Sequence, residues 1–185
     1  CLNQPYGDVG HLIRPLAYEV HPYRWPTIGK DLSHIEQATL EEVKSFFYRF
    51  YAPNNAVLAI TGNISWEEAI RLTEKWFGPI PRRDVPVRQL PQEPVQMKER
   101  RQVVKRPVPL DALFMAFHMC SREHSDYYAF DILSDILSNG RSSRLNRRLV
   151  QEQKLFSGID AYVSGTRDAG LLHISGKPSA GVPLE

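Results

Sequence analysis

Residues 51–81 read YAPNNAVLAITGNISWEEAIRLTEKWFGPIP, and this stretch has the clearest structural signals in the chain. Pro53 and the two asparagines after it favour a turn, because proline presets φ and asparagine tolerates positive φ. The apolar run at residues 56–61 is bounded by turn residues and predicts a short buried strand. The first half of the stretch therefore predicts a turn that leads into a strand.

The second half of the same stretch predicts an amphipathic helix. Ser65 and Glu68 form a Ser-x-x-Glu capping box, which satisfies free amide groups at a helix start. Gly78 stands where a left-handed helix cap is expected, and Pro79 ends the helix. From physics alone the unit indicates scaffold, since none of its residues has a chemical assignment. Four apolar residues recur at steps of three and four on one helix face: Ala69, Leu72, Trp76 and Phe77.

Length and composition describe an ordinary globular chain. Its 185 residues, 42% hydrophobic and 24% charged, suffice for one domain or two small ones. The 23 basic and 21 acidic residues are well mixed, so no nucleic-acid partner is indicated. No apolar run approaches the roughly 20 residues of a membrane span. No signal peptide is visible, but the chain begins with Cys1, so we expect a processed protein or an excised piece, and the compartment stays open.

Upstream of residues 51–81 the sequence predicts two helices and a rigid loop. Residues 12–20 have helical spacing, and Pro15 inside them predicts a short or kinked helix. Residues 21–26, HPYRWP, predict an extended loop whose aromatic rings pack against the domain. Thr39 and Glu42 form a second capping box for the helix that follows. The apolar stripe of that helix is Leu40, Val43, Phe46, Phe47 and Phe50.

A change of composition at residues 79–94 marks the best domain boundary. Five prolines fall there among arginines and acidic residues. Such a segment favours extended, polyproline-like backbone over helix or central strand. We therefore divide the chain into residues 1–81, a proline-rich linker at 82–94 and residues 95–185.

Four strands are predicted in residues 95–185. The first, at 95–106, is charged and fits an edge strand, whereas residues 111–120 are almost wholly apolar, as in a buried central strand. Residues 156–164 and 170–176 alternate in the manner of antiparallel strands joined by a turn.

Two helices are predicted between the second and third of these strands. The first begins at Ser125 and ends at Asn139-Gly140, and the second begins at Ser142 or Ser143. Together these elements predict an α+β fold with mixed or antiparallel sheets and helices packed on one face. The core face of the first helix is Ala129, Ile132, Leu133, Ile136 and Leu137.

No catalytic or metal-binding constellation is visible in the sequence. Six histidines are scattered, and none pairs in the HxxEH spacing that places two zinc ligands and a general base on one helix face. His118 and Cys120 share one side of a predicted strand, where core packing is favoured over a metal site. His118 and His124 lie across a turn from each other and have no third ligand nearby. The chain has no G-x-S-x-G elbow, G-x-G-x-x-G or P-loop. We therefore assign no catalytic residue and no metal ligand, and substrate-binding residues stay unknown.

The remaining reactive or charged groups have structural interpretations. Cys1 and Cys120 form neither a CxxC motif nor a disulfide framework, and Cys120 fits a buried, inert thiol. Arg144, Arg147 and Arg148 could bind an acidic partner, but a solvated helix face is favoured.

Three motifs resemble the pitrilysin/insulinase family of zinc metallopeptidases. Residues 51–81 resemble its signature region, in which a Tyr-x-Pro-Asn-Asn turn leads into a hydrophobic strand and a helix ending in Phe-Gly. Residues 21–29, HPYRWPTIG, resemble a loop of the same family. Residues 138–162, SNGRSSRLNRRLVQEQKLFSGIDAY, resemble a helix and strand of its second domain. The resemblance covers nearly all of the chain and implies repeated α+β domains that enclose an unfolded peptide.

The resemblance implies a fragment of a zinc-dependent endopeptidase that hydrolyses peptides with metal-activated water. The fragment would span the end of the first domain and the start of the second. The family's inverted HxxEH motif and its further glutamate ligand would lie before Cys1. We therefore expect zinc in the full-length parent and none in this chain, which alone is expected to be inactive.

The resemblance also implies two partners, a peptide substrate and a second homologous half or subunit. In the family that partner half supplies an arginine and a tyrosine that hold substrate. Their equivalents would fall near Val150 and Ser157, and neither residue fits, which favours the metal-bearing half for this chain.

Two alternatives stay open. The parent could be a non-catalytic family member that acts as a scaffold or substrate-binding subunit, and the residues before Cys1 decide this, because an intact HxxEH means an enzyme. The chain could also be an unrelated α+β interaction module. Under the family interpretation, a first domain that lacks sheet strands predicts exposed strand edges and self-association.

Overall fold

The structure is a computed structural model that describes residues 4–29 and 31–184. A π-helical segment covers Asn146–Glu152, and 3-10 turns cover Pro22–Arg24 and Pro53–Asn55. No helix in these two ranges is both long enough and apolar enough to cross a bilayer. The helices are α1 (Val9–Ala17), α2 (Ser33–Glu36), α3 (Leu40–Phe50), α4 (Trp66–Phe77) and α5 (Tyr127–Ser138), and the strands are β1 (Leu113–His118), β2 (Phe156–Ser164) and β3 (Leu171–Pro178).

The described residues form two compact units. The first unit combines those of Cys1–Ile28 with those of Pro91–Glu185, and the second unit lies within Gly29–Leu90. The division at a linker of residues 82–94 concerns the domains of a longer protein and stays a prediction. As expected from its prolines, the segment from 79 to 94 contains neither helix nor strand apart from a turn at its start.

The first unit contains a three-stranded antiparallel sheet in the order β1–β3–β2. This mixture of helices and a small antiparallel sheet confirms the predicted α+β class. The hairpin predicted at residues 156–164 and 170–176 is also confirmed, because β2 and β3 pair throughout their lengths. Placing residues 111–120 at the sheet centre was wrong, since β1 is an edge strand and Phe117 is 51% exposed. An apolar run indicates burial but does not identify a strand's neighbours.

Helix α1 packs against β1 and contributes to a small core. The buried residues of this core are Ala17, Tyr18 and Leu171, and Ile13 and Ala116 pack against them. The helix begins at Val9, earlier than predicted, and it contains Pro15 as expected. After it the chain turns sharply, which places the loop of residues 21–26 beside Tyr18.

Helix α5 packs against β2. The Ser138 hydroxyl donates to the carbonyl oxygen of Ala161 at 2.9 Å, which fixes the end of the helix on the strand. The predicted end at Asn139-Gly140 is confirmed, because Asn139 is the C-cap and Gly140 adopts φ 83°. The second predicted helix is present too, largely as the π-helical segment. On α5 itself, three residues of the predicted core face are at least 39% exposed: Ile132, Leu133 and Ile136.

Two predicted strands are absent from the described residues. Residues 56–61 and 95–106 contain no strand, and Val57 is 99% exposed. A strand exists only where a neighbour completes its hydrogen-bond ladder. Each described strand pairs within the β1–β3–β2 sheet, so these two stretches remain unpaired.

The helix caps of the second unit agree with the sequence in part. Thr39 and Glu42 form the full predicted capping box, with side-chain to amide distances of 3.2 and 2.8 Å. Ser65 accepts from the Glu68 amide at 3.2 Å, but the Glu68 carboxylate binds Arg71 instead of closing the box. The predicted left-handed cap at Gly78 was wrong, because its φ is −56° and its amide continues the helical pattern.

Candidate functional site

The first unit contains an aromatic–histidine cluster, formed by Tyr18, His21, Tyr23 and His118. The ring centroids of His21 and Tyr23 lie 4.2 Å apart, and the Tyr18 centroid lies 5.6 Å from that of His118. The Tyr18 hydroxyl donates to the carbonyl oxygen of Ala169 at 2.9 Å. Burial raises the pKa of Tyr18 to about 12, so its phenol stays neutral under physiological conditions.

His21 is the buried histidine of this cluster, with 4% exposure. Its Nδ1 accepts from the Tyr23 amide at 3.2 Å, so Nε2 bears the hydrogen of the neutral ring. Nε2 makes no hydrogen bond and lies 3.5 Å from the Asp168 carboxylate, which also accepts from the Tyr23 hydroxyl at 3.2 Å. This geometry orients a histidine beside an acid, and the Tyr23 side chain and amide contact both groups. It stabilises the loop of residues 21–26 and supplies no nucleophile.

A glutamate from the proline-rich segment docks next to the cluster. The Glu93 carboxylate accepts from three consecutive amides, those of Glu19, Val20 and His21, at 2.6, 3.0 and 2.9 Å. Burial raises the pKa of Glu93, but the three amides and the field of His118 outweigh that effect and lower it. The contact fastens residue 93 to the turn that follows α1.

A serine–histidine contact lies on the β2–β3 hairpin. The Ser164 hydroxyl is 3.1 Å from Nε2 of His173, whose ring stacks on Tyr162 at 4.8 Å. Burial, and to a smaller degree the charge of Arg14, lowers the pKa of His173 and keeps the ring neutral. A hydrolytic triad also needs a group that orients the imidazole. The His173 ring is instead stacked on the side chain of Tyr162, which is its cross-strand partner in the β2–β3 register. Pairing of the two strands therefore explains why Ser164 and His173 lie close together.

The second unit presents an apolar groove of ≈ 610 Å³ between residues 58–64 and α4. The groove is open to solvent, and its apolar lining includes Leu58, Ile60, Trp66 and Ile70. All four of these side chains are at least 38% exposed. The groove has the character of a packing surface and contains no cluster of ionisable groups.

The residues weighed in the sequence do not assemble into a metal centre. In the ranges 4–29 and 31–184, no three His, Cys, Asp or Glu side chains come together as possible metal ligands. His118 instead donates from Nε2 to the Ala17 carbonyl oxygen at 2.6 Å, and His124 faces Asp126 at 3.7 Å. Cys120 is half-buried, less than predicted, while Cys1 lies outside the described residues.

Two other predicted surfaces can be placed. Arg144, Arg147 and Arg148 are all exposed, as expected for a solvated face, and Arg147 pairs with Glu152 at 3.5 Å. Val150 is half-buried and Ser157 donates to the Lys177 carbonyl oxygen, so neither replaces an arginine or a tyrosine chemically. The sequence did not predict the role of Glu93, whose only local signal is the pair of prolines that flank it. It also did not predict the His21–Asp168 contact, whose only local signal is the His-Pro turn.

Known proteins resemble this chain in both sequence and fold. The family model for the peptidase M16 inactive domain matches residues 37–182. Over 158 residues the chain is 32% identical to the zinc protease PqqE of Helicobacter pylori. This alignment covers 84% of the present chain and 35% of PqqE. The chain thus spans about a third of that relative's length.

Two solved structures share the fold. The crystal structure of a protease from Helicobacter pylori superposes with a TM-score of 0.78 at 28% identity, covering 97% of this chain and 44% of the other. A peptidase M16 inactive domain from Pseudomonas fluorescens superposes with a TM-score of 0.71 at 22% identity, covering 97% and 43%. The second likeness concerns the fold alone.

Proposed function

Because this chain belongs to the peptidase M16 family, we propose that it is a non-catalytic scaffold region of a zinc-dependent endopeptidase. The apolar surface of the second unit is the observation that carries this proposal. On α3 the side chains of Val43, Phe46 and Phe47 are 49–57% exposed, and Val57 after it is 99% exposed. So many exposed apolar side chains within one unit are uncommon on a self-sufficient monomer.

We assign this surface to the remainder of the first domain, in residues that precede this chain in the parent protein. The length of the Helicobacter relative supports that occupant, since the match covers 35% of it. Amides 57–61 donate no hydrogen bond to any described residue, and these residues belong to neither a helix nor a strand. A strand of the covering sheet can therefore pair with this segment, as in strand addition.

The chemistry would come from the same preceding residues. There an HxxEH motif would hold zinc and provide the general base, and the zinc would activate water for attack on a peptide bond. This chain would support that site from behind and connect it to the second domain. A second homologous half or subunit, which supplies substrate-holding groups, completes the proposed enzyme, in keeping with the misfit at Val150 and Ser157.

A second candidate is a non-catalytic family member that serves as a scaffold or substrate-binding subunit. The description of the matching family model as an inactive domain favours it. The two candidates differ in the residues before Cys1, where the enzyme has an intact HxxEH and the subunit a degraded one.

The longer gene product distinguishes them in a peptidase assay. We expect cleavage of an unfolded peptide that is abolished by a chelator and restored by zinc. Replacing the glutamate of HxxEH by glutamine should lower kcat/KM by about a hundred- to ten-thousandfold, the usual contribution of a general base. The 185-residue chain serves as the inactive control.

Two results would decide against the endopeptidase. A degraded motif with no cleavage in the presence of the partner half would favour the subunit. Cleavage by the 185-residue chain alone would contradict both candidates.

A further inference from the structure

Three consecutive backbone amides converge on one carboxylate beside α1. The Glu19 amide donates to Oε1 of Glu93 at 2.6 Å, and those of Val20 and His21 donate to Oε2 at 3.0 and 2.9 Å. Successive N–H groups that point into one concavity form an anion-binding nest. Hydrogen bonds from amides to an ionised acceptor are about twice as strong as neutral ones. We call the amides of residues 19–21 the three-amide nest.

The C-terminus of α1 would repel an anion in the nest, but hydrogen-bond donors around the nest counteract its negative partial charge. The last carbonyls of a helix carry partial negative charge. Here the Leu16 carbonyl oxygen accepts from the Arg100 guanidinium at 2.7 Å, and that of Ala17 accepts from His118 at 2.6 Å. Arg100 also pairs with the Glu19 carboxylate at 2.7 Å, and its side chain is 22% exposed. The nest therefore lies in a field that is favourable to a carboxylate.

The occupant comes from the proline-rich segment, which belongs to neither a helix nor a strand. Glu93 stands between Gln92 and Pro94 in the sequence Pro-Gln-Glu-Pro, and the segment around it forms neither helix nor strand. Proline lacks an amide hydrogen and cannot donate to a backbone ladder. The glutamate side chain, which is half-buried, attaches residue 93 to the nest through its carboxylate.

We propose that the three-amide nest is a carboxylate-binding site, which Glu93 fills in this structure and which accepts a carboxylate from a peptide once Glu93 is removed. The proline-rich segment then acts as a built-in competitor for the site. The ligand chemistry is a single carboxylate, supplied either by an acidic side chain or by a peptide C-terminus.

Hydrogen exchange on the 185-residue chain tests the proposal with the Glu93→Ala variant. We expect the amides of Val20 and His21 to exchange about tenfold faster, the loss that one hydrogen bond to a charged group predicts. Sodium acetate should restore slow exchange in this variant, whereas sodium chloride at the same ionic strength should not. Glu99→Ala is the matched control, since Glu99 is exposed and its side chain forms no hydrogen bond or ion pair with the described residues. In Glu99→Ala the amides of Val20 and His21 should exchange at the wild-type rate, and acetate should not change that rate.

If Glu93→Ala unfolds, the backbone amides of β2 and β3 will lose their protection against hydrogen exchange. A second variant keeps the test decisive in that case. Glu93→Gln still fills the nest but lacks the charge, so we expect faster exchange at residues 20 and 21 that acetate does not reverse. Unchanged exchange in Glu93→Gln, or equal effects of acetate and chloride on folded Glu93→Ala, would overturn the proposal.

The source of the carboxylate is distinguished by two short peptides added to Glu93→Ala. One has a free C-terminus and no acidic residue, and the other has an amidated C-terminus and one glutamate. Protection of residues 20 and 21 by the first identifies a C-terminal site, and protection by the second identifies an acidic side chain. Protection by neither would restrict the nest to small anions and overturn its role toward peptides.

Discussion

Replacing Gly170 by alanine is expected to destabilise the three-stranded sheet by about 3 kcal/mol, at the upper end of the cost of overpacking. A Cβ atom at this position would overlap the backbone carbonyl oxygen of Ser164. Backbone cannot rotate away as a long side chain can, so the strands must separate locally. The Gly170 carbonyl oxygen also accepts from the Met119 amide at 3.0 Å, and that bond would be strained by any shift.

Urea unfolding of the 185-residue chain measures this effect. Gly158→Ala is the matched control, because it makes the same change in the same sheet and a Cβ there would have nothing within 4 Å. We expect the control to change the free energy of unfolding by less than about 1 kcal/mol, as is usual at sites without such overlap. Equal losses for the two variants would show that Ser164 and Gly170 are not in contact.

The second large effect concerns association of the isolated chain. We expect the 185-residue chain to form oligomers, because the apolar face of α3 lacks its proposed cover, and we expect Phe46→Glu with Phe47→Glu to shift it towards monomers. These two side chains are 57% and 49% exposed, so charge at their positions removes mainly surface apolar area, together with the ring contacts of Phe46 to Phe50 and of Phe47 to Tyr51. Glutamate also has the better helix propensity of the two residue types, which protects the fold of α3.

Sedimentation velocity over a range of concentrations gives the oligomer distribution. Lys44→Glu is the control, since Lys44 is an exposed charged residue of the same helix and its replacement removes no apolar surface. It should associate like the wild type. A wild-type chain that stays monomeric at all concentrations would contradict the account of this face as a covered surface.

Local signals predicted much of the fold. The capping box at Thr39 and Glu42, the hairpin of β2 and β3, and the end of α5 at Asn139-Gly140 each depend on neighbours within a few residues. Their hydrogen bonds form wherever the chain adopts the local conformation, so sequence suffices. The failure at Ser65 is local as well, because Arg71 three residues after Glu68 competes for its carboxylate.

Strand predictions failed where the partner is not local. Residues 56–61 have strand composition, yet strand formation requires a neighbour that the described residues do not supply. The same reason explains residues 95–106. The edge position of β1 likewise depends on which strands pair, which composition does not encode.

The polar sites were beyond sequence reasoning for the same physical reason. Glu93 reaches amides more than 70 residues earlier, and His21 lies beside Asp168 from the far end of the chain. No spacing rule links such positions, because tertiary packing alone brings them together. The family resemblance fared better, since it depends on ordered motifs and not on contacts.

Metal analysis of two purified proteins tests the central claim most directly, the claim that this chain is scaffold and that its enzyme's zinc site lies upstream. The account predicts no stoichiometric zinc in the 185-residue chain after dialysis and about one zinc per molecule in the longer gene product, as expected for a single catalytic site. One tightly bound zinc per 185-residue chain would contradict it.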